Sequence, residues 1–436
     1  MLLRALLLAL LVVTASAGPI EPKHYQIGYR SLYNMVPPQP YNTELLERQT
    51  RETVLARILK ADAHRLKFVH SIWRHGDRTP LYTFATNPVQ EANWTLGEGG
   101  FGVLTPLGME QQFELGRTLR KRYIDSGFVS PKYNGKEVEF HSLTNDRVLT
   151  SAFSNAMGMF RDLSGRLGGE SYPTDAEWPQ GVMPIPIHAL DETTQTLDEC
   201  KQSGRLKELI DLVRISVEFQ KSLITPQAER ISNEISSKTG VEMNAETFKQ
   251  FYEAALIERN YFPDNVAKWC SDELFEELQA YYSTQFDYDD GQGIQSLIKD
   301  VNVSVEIPRI NGGWIIQSLM EMVRGAVAGT SPVKYYALSA YDEAITGVLN
   351  ALGVKSRLFR GQPGFASCIL FELWIDENDE PHLKVLYRNG PEDEFAAITS
   401  LVPGCSLDLC HLSIFEFYAH KYRVDLESDC TTKLTN

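Results

Sequence analysis

An α/β fold is the class this sequence predicts: a mixed sheet covered by helices on both faces, with a smaller helical cap or insertion. Three observations predict it. β-prone apolar runs alternate with helix-patterned segments, the order expected of a sheet with helical crossovers. Two of those runs, "FVHSIW" and "KYYALSA", leave little room for a polar face, as central buried strands do. From about residue 198 to residue 300 the pattern is helical with no clear strand, which reads as one inserted block.

The elements follow in order. Residues 1–17 read as a secretory signal: a basic start in "MLLR", the apolar core "ALLLALLVV", and the small triplet Ala15-Ser16-Ala17, after which cleavage is expected. The apolar run is too short for a membrane anchor. Residues 18–64 form an arm, with three prolines in "YNMVPPQPYNTELL" and helical spacing over Glu44–His64. Leu66–Ile72 is a strand. Thr105, Pro106 and Gly127 supply the start and stop signals of one helix. Glu137–Leu143 alternates as a strand and runs into a helix that starts at Asn145 or Asp146. "GVMPIPIHAL" is a short extended piece. After the inserted block come the helix "GGWIIQSLMEMVRGAVAG", strand Val333–Ala340, helix Asp342–Leu352, strands in "ASCILFELWI" and "HLKVLYRNG", and a last helix in "CHLSIFEFYAHKYR". Residues 431–436 are a polar tail.

Composition narrows the function classes. The chain has 436 residues, 43% hydrophobic and 23% charged, an ordinary globular balance. Its net charge of −15 and the lack of a Lys/Arg-rich stripe argue against nucleic acid as a partner. Any phosphate site must therefore concentrate positive charge locally. No later segment is apolar and long enough to span a bilayer, so an exported soluble protein is expected. Six cysteines, an even count, favour disulfides in an exported chain. They are Cys200, Cys270, Cys368, Cys405, Cys410 and Cys430. Only Cys405 and Cys410 are neighbours, and spacing does not choose among the pairings. No zinc-ligand spacing occurs. Asn93-Trp94-Thr95 and Asn302-Val303-Ser304 are glycosylation sequons.

Three polar clusters stand where strands give way to helices or loops: Arg74-His75-Gly76-Asp77-Arg78, Asn145-Asp146-Arg147 and Tyr341-Asp342. In open α/β sheets ligands bind beyond the carboxyl ends of the strands. The chemistry suggested is phosphoryl transfer. Arg74, Arg78 and Arg147 offer planar forks that match phosphate oxygens without a metal. Their charge holds His75 neutral, and a neutral imidazole nitrogen is a nucleophile. Gly76 would keep bulk away where the backbone meets the ligand. Asp342 would protonate the leaving oxygen and later activate water. Each residue also has a plainer reading alone: a structural His, a salt-bridged Arg147, a helix-capping Asp342. His141 and His188 read as structural. No G-x-S-x-G elbow supports a serine hydrolase. A glycosidase needs two carboxylates, for which Asp77 and Asp342 could be offered, but the flanking arginines suit an anion better than a sugar.

At "RHGDRTP" the sequence fits the R-H-G-x-R-x-P signature of the histidine acid phosphatases. "TPLGMEQQFELGRTLRKRY", "NDRVLTSA", "CILFELW" and "YRNGP" resemble further segments of that family. The resemblance runs from about Lys67 to Cys430 and is nearest the secreted, lysosomal and prostatic animal branch. It implies one family domain over residues 65–430, with the helical insertion inside it. His75 is then the nucleophile that becomes phosphohistidine, Arg74, Arg78 and Arg147 the phosphate clamp, and Asp342 the proton donor. It also implies disulfides Cys200–Cys430, Cys270–Cys368 and Cys405–Cys410, no metal or other cofactor, a small-molecule phosphate monoester as substrate, a secreted or lumenal location and a homodimer as candidate assembly. One position departs. The family has His before the proton donor, where it helps hold the phosphate, and this chain has Tyr341. A phenol donates one hydrogen bond and carries no positive charge. The expected activity is thus an exported acid phosphatase, with turnover lowered at Tyr341. The alternative is a weak or inactive member that binds phosphate esters or acts as an extracellular interaction protein.

Overall fold

The computed structural model describes residues 64–161, 168–175, 177–179, 182–295 and 297–433. The expected export signal, the proline-rich arm and nearly all of the helix expected over Glu44–His64 lie outside the described residues.

Among the described residues eight strands form one sheet: β1 (Arg65–Arg74), β2 (Val138–Ser142), β3 (Ile187–Ala189), β4 (Tyr335–Ala340), β5 (Cys368–Ile375), β6 (Pro381–Arg388), β7 (Ala396–Ala397) and β8 (Cys410–His411). Their order is β3-β2-β4-β1-β5-β6-β7, with β8 also pairing β6. β1 to β4 run parallel, and β5 to β8 are added antiparallel, so the sheet is mixed. β1 sits at its centre, which explains its near-continuous apolar run. Alternate β1 side chains serve separate cores: Phe68 and Ile72 on one face, Val69 and Trp73 on the other.

Helices α1 (Pro106–Leu119) and α2 (Asp146–Met159) cover the Val69 face. α1 starts where Thr105 Oγ1 accepts the Gly108 N–H at 3.0 Å, with Pro106 in the first turn. It widens into a π turn at Arg120–Ile124 before the chain reverses near Gly127 (φ 82°). The following block supplies α3 (Asp191–Gln202), α4 (Arg205–Ile215), α5 (Pro226–Thr239), α6 (Ala245–Tyr261) and α7 (Asp272–Asp289). α5, α6 and α7 enclose a core of their own around Ile231, Ile235, Phe251 and Leu278. Phe84, on the loop after β1, plugs into that core and stacks on Phe251 at 4.1 Å. Helices α8 (Trp314–Ala328), α9 (Asp342–Ala351) and α10 (Leu412–Lys421) cover the Phe68 face. Among the described residues no helix is long and apolar enough to cross a membrane.

Two expected disulfides are present, Cys200–Cys430, which ties α3 to the C-terminal helix α11 (Leu426–Thr431), and Cys405–Cys410. The third is not: Cys270 and Cys368 are both buried free thiols. Cys270 packs in the core of the helical block, whereas Cys368 opens β5 in the sheet core. A disulfide needs its Cα atoms within about 7 Å, and residues committed to separate cores do not come together. Asn93 and Asn302 of the two sequons are exposed.

Candidate active site

Strand register decides where the polar clusters emerge. Arg74 lies opposite Ala340 in the β1–β4 pairing, and Ser142 lies opposite Ser339 in the β2–β4 pairing. Three parallel strands therefore end level, and the residues just beyond them leave the sheet at one edge. β5 runs antiparallel to β1, with Cys368 opposite Trp73. The loop entering β5, 361–367, thus reaches the same edge.

His75 is held from several sides. Its N–H donates to the Ala340 carbonyl at 3.1 Å, and its carbonyl accepts the Ala366 N–H at 3.1 Å. Its Nδ1 is 2.8 Å from the Gly76 carbonyl, which only accepts. Nδ1 therefore carries the proton, and Nε2 keeps a lone pair. The imidazole is buried yet lines a cavity of about 330 Å³. Burial, then the charges of Arg147, Arg74 and Arg78, hold it well below the usual histidine range, against the Gly76 hydrogen bond.

The three arginines surround it with unspent donors. Arg74 gives Nη1 to the Pro363 carbonyl at 2.5 Å and lies 4.4 Å over the Phe365 ring. Arg78 gives Nη1 to Glu253 Oε1 at 2.9 Å. Arg147 gives Nη1 to Asn145 Oδ1 at 2.8 Å, and the same oxygen caps α2 by accepting the Arg147 N–H at 3.3 Å. In each of the three, Nε is buried and has no partner among the described residues. Orphaned cationic donors are costly unless an anion arrives.

Asp342 occupies the first turn of α9, but it does not cap it: Tyr341 is the N-cap residue, and no side chain bonds there. Asp342 Oδ2 instead accepts from Gln362 Nε2 at 2.6 Å and stands 3.4 Å from Arg74 Nη2. Burial, and then the neighbouring Glu343 charge, push its carboxyl up, with Arg74 opposing. Burial would also raise Glu343, but the Lys201 ammonium in contact with it and a hydrogen bond from Asp342 hold that carboxyl low. Tyr341 lies beneath Arg147, whose guanidinium stands 5.4 Å from the ring centre. Burial pushes its phenol up to about 12.

Some readings of the sequence change. Gly76 does not clear space for a ligand: a Cβ there would sit 2.2 Å from the Gly108 carbonyl oxygen, so its bareness serves α1. Asp77 points away from the cavity and accepts from Thr105 Oγ1 at 2.6 Å and the Tyr261 hydroxyl at 2.5 Å. His141 stacks on Tyr336 at 4.4 Å with His188 beside it, and neither lines the cavity. Other residues had gone unnoticed. Gln362 and Phe365 arrive on the β5 entry loop, whose "GQPGF" run signals a sharp turn but not the strand direction that brings it here. Glu253 comes from the helical block, where a buried acid amid "FYEAAL" was the available signal.

An α/β sheet whose strand ends present a neutral imidazole, three arginines with unused donors and a buried acid defines an anion-handling site of the phosphatase type. Residues 65–388 match the histidine phosphatase superfamily (branch 2), and the chain belongs to that family. Prostatic acid phosphatase of Homo sapiens is 29% identical over 386 residues, 85% of this chain and 89% of that protein. Lysosomal acid phosphatase of Xenopus laevis is 27% identical over 381 residues, 85% and 80% of the two chains. The phytase from Citrobacter braakii superposes with a TM-score of 0.57 at 13% identity, over 85% of this chain and 100% of that one, a likeness of fold.

Proposed function

We propose that the protein is an exported acid phosphatase that hydrolyses phosphate monoesters through a phosphohistidine on His75. The observation that carries the reading is the set of three orphaned Nε–H donors on Arg74, Arg78 and Arg147 around His75. A phosphate dianion supplies the acceptors they lack. His75 Nε2 attacks phosphorus, and the ester P–O bond breaks. Asp342 gives its proton to the departing alcohol oxygen. The resulting carboxylate then takes a proton from water, whose oxygen attacks the phosphohistidine, releasing phosphate and restoring both groups.

The pH window follows from the two shifts. His75, depressed, stays neutral as pH falls until its own lowered pKa is reached. Asp342, raised, stays protonated as pH rises until its own raised pKa is reached. Activity falls outside that acidic interval on both sides. A binding module needs neither a bare imidazole nitrogen nor a protonated acid, which disfavours the inactive alternative.

The test is p-nitrophenyl phosphate hydrolysis between about pH 4 and pH 7, with His75→Ala beside it. The expected loss is roughly 10⁴-fold or more, together with loss of an acid-labile, base-stable phosphoprotein in rapid quench. Activity equal to that of His75→Ala would sink the reading.

A further inference from the structure

We infer that the alcohol part of the preferred substrate carries a protonated amine, so that the substrate class is an aminoalkyl phosphate monoester. The inference rests on the phosphatase reading and concerns a second wall of the same cavity. That wall is the C-terminal end of α7, a different element from those that bring the arginines. Gln285 lines the cavity and is 9% exposed; its Nε2 donates to Ser222 Oγ at 2.9 Å, and its Oε1 is buried without a partner. Asp289 lines the cavity too, and its Oδ1 is likewise unpartnered. Asp290, 5% exposed, accepts from Thr346 Oγ1 at 3.2 Å through Oδ1, while no hydrogen bond reaches Oδ2 and the nearest cation, Lys355 Nζ, stands 3.8 Å away.

One wall of the cavity thus holds unused donors and the other unused acceptors. Buried polar atoms are rarely left unpaired in native proteins, so an unpaired set facing a cavity marks the complement it lacks. A phosphate answers the arginines. What answers Gln285 Oε1 and Asp289 Oδ1 is an N–H donor, and next to carboxylates a cationic one.

Two of the three cations on the same stretch are already ion-paired. Lys201 is in contact with Glu343, Arg214 Nη2 is 3.6 Å from Asp289 Oδ2, and Lys249 Nζ stands 5.7 Å over the Tyr82 ring. A second phosphate on the substrate would bring further acceptors to Gln285 Oε1 and Asp289 Oδ1, which offer it no hydrogen bond. Ile210, Phe286 and Trp314 also line the cavity and suit a short hydrocarbon segment between the two polar ends.

The test is a matched series: n-alkyl phosphates, ω-aminoalkyl phosphates of two to four carbons, and the corresponding α,ω-bisphosphates. The expected order of kcat/KM is amine over neutral by about tenfold or more, with the bisphosphates poorest. Gln285→Leu and Asp289→Asn should each shrink the amine-to-neutral ratio severalfold, while Gln285→Glu, which keeps an acceptor, retains it. Because the readout is a ratio within one protein sample, partial misfolding does not imitate the effect. Equal kcat/KM for amine and neutral esters, with p-nitrophenyl phosphate hydrolysed, would overturn the inference and leave the phosphatase reading standing. If no ester were hydrolysed, the phosphatase reading would fail. Calorimetric binding of the same esters to His75→Ala protein would then decide the wall: tighter amine binding upholds it, and equal or weaker binding overturns it.

Discussion

We propose that Tyr341 limits the rate of the reaction at His75. Its ring backs the Arg147 guanidinium, so it contributes packing to the clamp. Its neutral phenol adds no positive charge to a phosphate that already faces Asp342 and Glu343. Restoring the imidazole in Tyr341→His supplies a donor that can be protonated at acid pH. Removal of one preorganised donor costs about 10²–10³ in rate in well-studied sites. The substitution is therefore expected to raise kcat for p-nitrophenyl phosphate by about tenfold or more, some of the gain being lost with the ring stacked on Arg147. Steady-state kinetics at acid pH check this; kcat and KM unchanged from wild type would mean that Tyr341 is not deficient. The Tyr341-Asp342 pair was legible in the sequence because "SAYDE" ends a strand-like run and opens a helix. The ring's position under Arg147 was not, since it depends on how β2 and β4 pair.

At the scale of elements, the loop after β1 is set by a backbone-to-backbone contact with α1. A Cβ on Gly108 would lie 2.1 Å from the Asp77 carbonyl oxygen, and neither partner is a flexible side-chain tip. Around this contact α1 and α2 satisfy the loop: Gln112 Nε2 donates to the Arg74 carbonyl at 2.7 Å, Gln111 Oε1 accepts the Asp77 N–H at 2.8 Å, and Ser151 Oγ accepts the Gly76 N–H at 3.2 Å. In Gly108→Ala two effects compete. Helix propensity favours Ala by about 1 kcal/mol, while forcing the elements apart costs about 3 kcal/mol. The clash wins, so the variant should be about 2 kcal/mol less stable to urea and should lose activity as the loop shifts. A midpoint at or above the wild-type value would contradict the contact. Strand and helix patterns were readable because they depend on local periodicity. The purpose of Gly76 was misread because a close helix is invisible from within one loop. The antiparallel sense of β5, and with it Gln362 and Phe365, also lay beyond local pattern.

The whole molecule is stapled between distant parts of the chain. Cys200 and Cys430 are 230 residues apart, and their bond fixes α11 against α3, the helix that carries Lys201 into the cavity. In secreted protein digested without reduction, peptide mapping should find Cys200 joined to Cys430 and Cys405 to Cys410, with Cys270 and Cys368 recovered as thiols. The mature chain should begin at Gly18. A Cys270–Cys368 peptide would overturn the separate-core arrangement, and an intact Met1 would overturn the export signal. The fold class was readable across the molecule from alternating runs and one helical block. Cysteine pairing was not, because it depends on which core each thiol joins. Glu253 was missed for the same reason: the helical block hands one acid to Arg78, so the clamp spans two layers that sequence separates by 175 positions.

The two unpaired thiols also make the protein its own gauge of local opening. Cys270 lies in the helical layer and Cys368 in the central sheet. Burial pushes the first up to about 12 and raises the second as well, so neither is reactive while its layer stays closed. An alkylating reagent would therefore mark each cysteine only as often as its own layer opens. The ratio of the two marking rates reports whether the helical block opens independently of the sheet.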